Sequence, residues 1–157
     1  MISNAVAPFG LTSYAFDGNG VAGRRVEIVK DGVFARPWAT KQFADYLHTE
    51  PTGGFANMEL PPGKTSLADL TSGNGRVLYV RSFSWLTPDE GRGNFGSEVR
   101  LGYLYEKGVR KPVKGGTVSG NVFKALGSAR YAKESVFRGD YLGPAAVRFE
   151  GLTVAGA

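Results

Sequence analysis

Twenty-three glycines cut this 157-residue chain into short β-rich runs. That punctuation constrains the fold more than any other feature. Glycine reaches left-handed backbone conformations without steric cost, so it collects where strands reverse. Asp31-Gly32 stands between Val26-Glu27-Ile28-Val29-Lys30 and Val33-Phe34-Ala35. Such a pair suits a type I′ turn, whose two central residues both need positive φ. Glu106-Lys107-Gly108 plays the same part between Phe95–Tyr105 and Val109–Val113. No helical pattern is long enough to serve as a βαβ crossover more than once. The expected fold class is therefore mainly β, a β-rich α+β domain. Its sheet is largely antiparallel, arranged as two sheets or a partly closed barrel with two or three short helices.

The remaining elements follow from periodicity and breakers. Leu11–Phe16 reads as a strand, and Asp17-Gly18-Asn19-Gly20 reads as a turn. Thr40 is placed to cap a short helix from Lys41 to His48, broken by Pro51-Thr52-Gly53-Gly54. Asn57–Leu60 reads as a short strand and Ser66–Leu70 as one helical turn. Gly73-Asn74-Gly75 separates that turn from the β-rich run Val77–Trp85, a central strand. Thr87–Asn94 is a polar loop with the character of a flap. Pro112 lacks a backbone donor, which places it at a sheet edge or bulge. Ser119–Leu126 reads as a helix closed by Gly127. Ala145–Phe149 and Leu152–Val154 read as closing strands around a bend at Gly151. Residues 1–10 read as an N-terminal extension and 11–157 as the domain.

Composition narrows the chemistry. The chain has no cysteine and one histidine, His48. No thiolate nucleophile or thiolate metal ligand is available. A catalytic zinc site needs about three protein ligands, which a lone histidine cannot assemble. His48 follows a helix and reads as a surface or helix-capping residue. Asp89-Glu90 is a carboxylate pair, but in a glycine-rich loop it reads as solvated. Gly91-Arg92-Gly93-Asn94-Phe95-Gly96 has spaced glycines without the strand and helix that a dinucleotide site requires. No apolar run approaches the roughly 20 residues of a membrane span. Residues 1–9 lack a signal-peptide pattern, so a cytoplasmic protein is the expectation. The net charge is +5. Its densest basic cluster, Lys107, Arg110, Lys111 and Lys114, reads as a solvated hairpin tip, and a nucleic-acid partner is not expected.

Two C-terminal segments carry a resemblance: Gly115-Gly116-Thr117-Val118-Ser119-Gly120-Asn121 and Glu150-Gly151-Leu152-Thr153-Val154-Ala155-Gly156. Ahead of them come Asp17–Gly20 with Arg24–Val33, the short helix Lys41–Leu47, Asn57–Ser66, and the Asn94–Gly108 hairpin. In this order the six pieces resemble the C-terminal domain of the TldD/PmbA family, which includes modulators of DNA gyrase and microcin-processing peptidases. The closer likeness is to the metal-lacking PmbA (TldE-like) type. The resemblance implies an additional N-terminal domain in full members. In peptidase members it implies zinc held by a histidine helix upstream of this region and by a cysteine near the final strands. Phe137–Gly143, where that cysteine is expected, contains none.

What the resemblance implies is a non-catalytic domain that needs no cofactor. It helps build a cavity for a peptide or unfolded chain and pairs with a family member as a homo- or hetero-oligomer. An extended peptide can add to an exposed strand edge. The strands Val77–Trp85 and Phe95–Tyr105 are the candidates for that edge, and Trp85, Arg92, Asn94 and Phe95 are the groove candidates. One alternative is a fragment of an active zinc metallopeptidase whose histidine motif lies on an absent N-terminal part. Another is a stand-alone basic β domain that binds single-stranded nucleic acid.

Overall fold

The computed structural model describes residues 1–73 and 75–156. Asn74, in the expected Gly73-Asn74-Gly75 separator, lies outside the described residues. In chain order the elements are β1 (Ile2–Asn4), β2 (Arg25–Glu27), β3 (Val29–Lys30), β4 (Val33–Phe34), α1 (Lys41–Tyr46), β5 (Met58–Glu59), α2 (Leu67–Thr71) and β6 (Val77–Phe83). They continue with β7 (Asn94–Glu106), β8 (Val109–Val113), β9 (Thr117–Asn121), α3 (Val122–Leu126), β10 (Arg130–Tyr131), β11 (Ser135–Arg138), β12 (Tyr141–Pro144), β13 (Val147–Arg148) and β14 (Thr153–Ala155). The fold is mainly β with three short helices among the described residues, as the sequence predicts, and no sheet closes into a barrel.

The chain divides into two compact units. The first comprises Met1–Pro62 and Glu134–Ala145. Its sheet has the order β11-β12-β5-β1-β2. All pairs are antiparallel except β5 with β12. Ile2–Asn4, ahead of the domain start expected at Leu11, thus lies between β5 and β2. Beside this sheet, β3 and β4 form the expected hairpin, with Asp31 at φ 50° and Gly32 at φ 79° as a type I′ turn requires. The first unit buries small apolar side chains, among them Ala5, Val26, Ile28, Ala39, Ala44 and Ala56.

A polar hub compensates for that modest apolar content. Asn57 is 1% exposed. Its amide nitrogen donates to the Asn4 carbonyl (2.8 Å) and to Ser13 Oγ (2.9 Å). Its amide oxygen accepts from the backbone N–H and the hydroxyl of Thr12, both at 3.1 Å. All four hydrogen-bonding positions of the buried amide are satisfied, which is what makes its burial affordable. The hub also explains why Leu11–Phe16 departs from the expected strand. Its backbone is drawn to a side chain and to turns instead of a ladder, and only Phe16 makes a β-bridge, to Ala22. Tyr14 then donates its hydroxyl to the Gly54 carbonyl at 2.7 Å. The Asp17–Gly20 turn is closed by Asp17 Oδ1, which accepts from the Asn19 and Val21 N–H groups.

The second unit comprises Gly63–Lys133 and Ala146–Ala157, described to Gly156. Its main sheet has the order β14-β9-β7-β6, all antiparallel, and β8 also pairs with β7. The thirteen-residue β7 is its spine. One side of β7 takes β9 along Asn94–Glu98 and β8 along Gly102–Glu106, while the other takes β6. Pro112 sits in β8, which among the described residues pairs with β7 alone, as the missing donor predicts. Ser66 caps α2 by accepting from the Asp69 N–H. The expected helix Ser119–Leu126 splits: residues through Asn121 pair with β7, and the helix begins only at Val122. The hairpin β11–β12 and the strand β10 carry no strong sequence signal and emerge only in the structure, whereas β13 falls within the expected strand Ala145–Phe149.

Two outcomes follow for the first unit. Asn57→Ala removes four hydrogen bonds and leaves buried partners unsatisfied. We expect a loss of about 3 kcal/mol in urea unfolding. The Tyr14 hydroxyl is shifted upward from its ordinary range, first by burial and then by the nearby Asp17 carboxylate, against a smaller lowering from the Gly54 hydrogen bond. A folded-state pKa above the unfolded one means that this stabilisation is complete below the ordinary tyrosine pKa of 10.0 and is lost as pH rises through the folded value. Tyr14→Phe should therefore flatten the alkaline limb of a stability–pH profile and leave its neutral region parallel to that of the unmodified protein.

Candidate functional site

The four groove candidates all lie in the second unit, but the structure gathers only three of them. Asn94 and Phe95 open β7, opposite Asn121 and Gly120 of β9. The Asn121 amide nitrogen donates to the Arg92 carbonyl (2.7 Å) and to Asn94 Oδ1 (2.9 Å). Its amide oxygen accepts from the Lys124 N–H at 3.2 Å and so caps α3. One side chain therefore ties Arg92, Asn94 and the helix start together. Phe95 is half-buried, its ring about 3.5 Å from where a Cβ on Gly120 would stand. That is a packing position on β9.

Trp85 is held separately. It lies beyond the end of β6 and is 60% exposed. Its carbonyl accepts from the buried Ser97 hydroxyl, and the neighbouring Ser84 N–H donates to the Glu98 carbonyl at 3.0 Å. These contacts belong to the β6 side of β7, whereas Asn121 lies on the β9 side.

The polar loop between β6 and β7 is pinned where the sequence suggested a flap. Asp89 organises it. Its N–H donates to the Asn94 carbonyl (2.8 Å), its carbonyl accepts from Gly93 (2.6 Å), and its carboxylate accepts from the Arg92 N–H (2.6 Å). The Gly93 carbonyl in turn accepts from the Val122 N–H at 2.8 Å. Gly93 sits at φ 72°, and a Cβ there would fall 2.7 Å from the Phe123 ring, so both conformation and space call for glycine. Asp89, half of the carboxylate pair, thus builds a turn.

Strand order decides between the two candidate sheet edges. β7 is paired on both sides and cannot receive a further strand, so Phe95–Tyr105 is not an edge. Among the described residues β6 pairs with β7 alone and is one. It is also not the central strand that its β-rich sequence suggested; a run this apolar at an edge leaves backbone donors and acceptors beside half-buried side chains. Residues opposed across an antiparallel ladder share a face. Tyr79, Tyr103 and Pro112 form one such row, and Val77, Tyr105 and Arg110 form the next. Arg81 donates to the Tyr79 hydroxyl at 3.0 Å, and the Arg110 guanidinium stands 4.8 Å from the Tyr103 ring centre. Neither Tyr79 nor Arg81 stands out in the sequence. The alternation Val77, Tyr79, Arg81 is the signal that marks them. A shallow hollow beside the end of α2 is lined by Ala68, Thr71, Tyr105 and Lys107.

Among the described residues the side chains do not assemble a group that fits a catalytic metal. His48 follows α1 and its C-cap Leu47 in a left-handed conformation, φ 49°, with its backbone N–H on the Asp45 carbonyl. Among the described residues no three His, Cys, Asp or Glu side chains come together as a ligand group. The β11–β12 hairpin occupies the stretch in which the family resemblance places a cysteine. Among the described residues no helix is long and apolar enough to cross a membrane.

Comparison with known proteins bears on the fold just described. Residues 1–156 match the PmbA/TldA metallopeptidase C-terminal domain family. The chain belongs to this family. Among curated relatives, Metalloprotease slr0863 of Synechocystis is 29% identical over 140 residues, covering 80% of this chain and 30% of the relative. The zinc metalloprotease TldD homolog of Saccharolobus solfataricus is 26% identical over 129 residues, covering 71% of this chain and 28% of the relative. The chain thus spans less than a third of the length of these PmbA/TldA relatives. The crystal structure of TldE from Thermococcus kodakarensis shares the fold, with a TM-score of 0.80 at 24% identity over 99% of this chain and 39% of that one. So does a crystal structure described as a modulator of DNA gyrase from Bacteroides thetaiotaomicron, with a TM-score of 0.81 at 23% identity over 99% of this chain and 36% of that one.

Asn121 was not among the sequence candidates, and it joins three of the parts just described. Asn121→Ala should cost about 1–2 kcal/mol through the lost cap and the two side-chain hydrogen bonds. Hydrogen exchange should rise selectively at Arg92, Gly93 and Lys124. A uniform rise across the second unit would show that the side chain acts globally.

Proposed function

We propose that this chain is the non-catalytic C-terminal domain of a cytoplasmic, TldE-like member of the family. In this reading it helps enclose a cavity that holds an unfolded peptide, and a family partner completes the assembly as a homo- or heterodimer. The observation that carries the reading is the open edge of β6. An unpaired strand edge offers a row of N–H and C=O groups, and an extended peptide that adds to it gains main-chain hydrogen bonds with little demand on sequence. The side-chain inventory agrees, since the chain supplies one histidine and no cysteine for a hydrolytic metal. Trp85 and Arg92 remain candidates for contact with the peptide. The backbone bonds of Asn94 and the packing of Phe95 suit them to holding the loop in place.

A second reading has its own support. The curated relatives are named metalloproteases and are about three times longer. In that reading the chain is the C-terminal part of an active zinc peptidase whose ligands lie elsewhere. Zinc analysis separates the two: tight stoichiometric zinc in a longer gene product, and none in the 157-residue chain, favours the second.

Strand addition has a direct test in peptide chemistry. A bound extended peptide should tolerate N-methylation at alternate residues along its outer edge. The same modification along the inner edge should weaken binding by about tenfold or more, since each methyl removes a ladder donor. Equal tolerance on both edges sinks the reading.

A further inference from the structure

The positive charge of this protein is concentrated at one end of the β6–β7–β8 meander. Residues 76–81 and 100–114 hold seven of the nineteen Lys and Arg but only one of the fourteen acids. The remaining residues carry twelve basic side chains against thirteen acidic ones, so this small region accounts for the entire net charge. Its single acid, Glu106, already faces Arg76 at 3.6 Å. Among the described residues no carboxylate pairs with Arg81, Arg110 or Lys111. The two arginines are not loosely solvated, because each is set on a tyrosine: Arg81 on Tyr79 and Arg110 on Tyr103. A guanidinium on an aromatic face is pre-oriented and keeps its outward donors for an anion.

From this arrangement we infer that the peptide taken up along β6 is acidic: an unfolded segment rich in Asp and Glu. The inference rests on the strand-edge reading above and specifies its substrate. A strand added to β6 places alternate side chains about 4.5–5.5 Å from Val77 and Tyr79, on the face that carries Arg81 and, two strands on, Arg110. Carboxylates at those positions come beside the Arg81 guanidinium and into the field of Arg110, which stands over the Tyr103 ring, and lysines there meet like charge. Lys107, Lys111 and Lys114 add positive field of the same sense, which is screened as salt rises. Main-chain pairing supplies the affinity and the charge supplies the selection.

The test uses the full 157-residue chain and three fluorescein-labelled unstructured peptides of equal length. Their alternate positions are Glu, Gln or Lys, and an oligothymidylate serves as a fourth probe. Fluorescence anisotropy should rank Glu above Gln above Lys, with about tenfold separating the extremes at low salt and the gap closing as salt rises. The double variant Arg81→Gln/Arg110→Gln, checked for an unchanged circular dichroism spectrum, should narrow the gap. If that variant misfolds, the salt series on the unmodified chain still decides. Equal binding of the three peptides overturns the acidic preference and leaves the strand-edge reading standing. Binding of no peptide removes both. Oligothymidylate bound more tightly than the Glu peptide overturns the inference in favour of a nucleic-acid face.

Discussion

The second unit depends on a single strand that is paired along both sides for most of its length. β7 hydrogen-bonds to β9 and then β8 on one flank and to β6 on the other, so its register fixes all three neighbours. A one-residue slip would move every β7 side chain to the opposite face. Buried Ser97 and Val99 would then trade places with exposed Glu98 and Arg100, at a cost that pins the alignment. The same pairing leaves β6 with one unused flank. The candidate site is thus a by-product of how the spine is satisfied, and no catalytic group has to be positioned to create it.

The first unit solves a different problem. Its buried apolar residues are mostly alanine and valine, which bury little area each. Hydrophobic gain scales with that area, at about 25 cal/mol per Å². Specificity comes instead from a completely satisfied buried amide. Asn57 joins β1, through Asn4, to the Thr12–Ser13 turn. A buried polar group of this kind rewards one arrangement and penalises every alternative that leaves it unpaired.

What the sequence made legible follows physical locality. The β3–β4 and β7–β8 hairpins, the edge position of Pro112 and the existence of β7 depend on neighbours in the chain, and each was readable from turn chemistry and alternation. The resemblance to TldD/PmbA C-terminal domains was readable because glycines and turns recur in a fixed order, and the family match covers 1–156. Long-range strand pairing was not legible. β1 pairs with β5 across more than fifty residues, and β5 with β12 across more than eighty. Asn57–Leu60 reads as a short strand, but nothing local names partners that remote. The same blindness left two strands as edge candidates where one of them is paired on both sides. Phe95–Tyr105 and Val77–Trp85 look alike as sequences, and only their neighbours decide which has a free side. Asn121 was hidden by its double role, since it ends a strand and caps a helix, and a periodicity reading assigns it to one element only.

The ladder between β6 and β7 is not regular. Its register shifts between Val80 and Ser82, where Arg81 is the extra residue. An irregularity of this kind bends and twists a strand locally. For a protein that leaves a strand flank uncovered, the bend acts as a safeguard. Two copies meeting along β6 cannot align long flat ribbons, and a charged side chain projects at the point of mismatch. Open-ended stacking into fibrils is disfavoured, while the regular stretch Val77–Val80 stays long enough for a brief, finite encounter with a single chain.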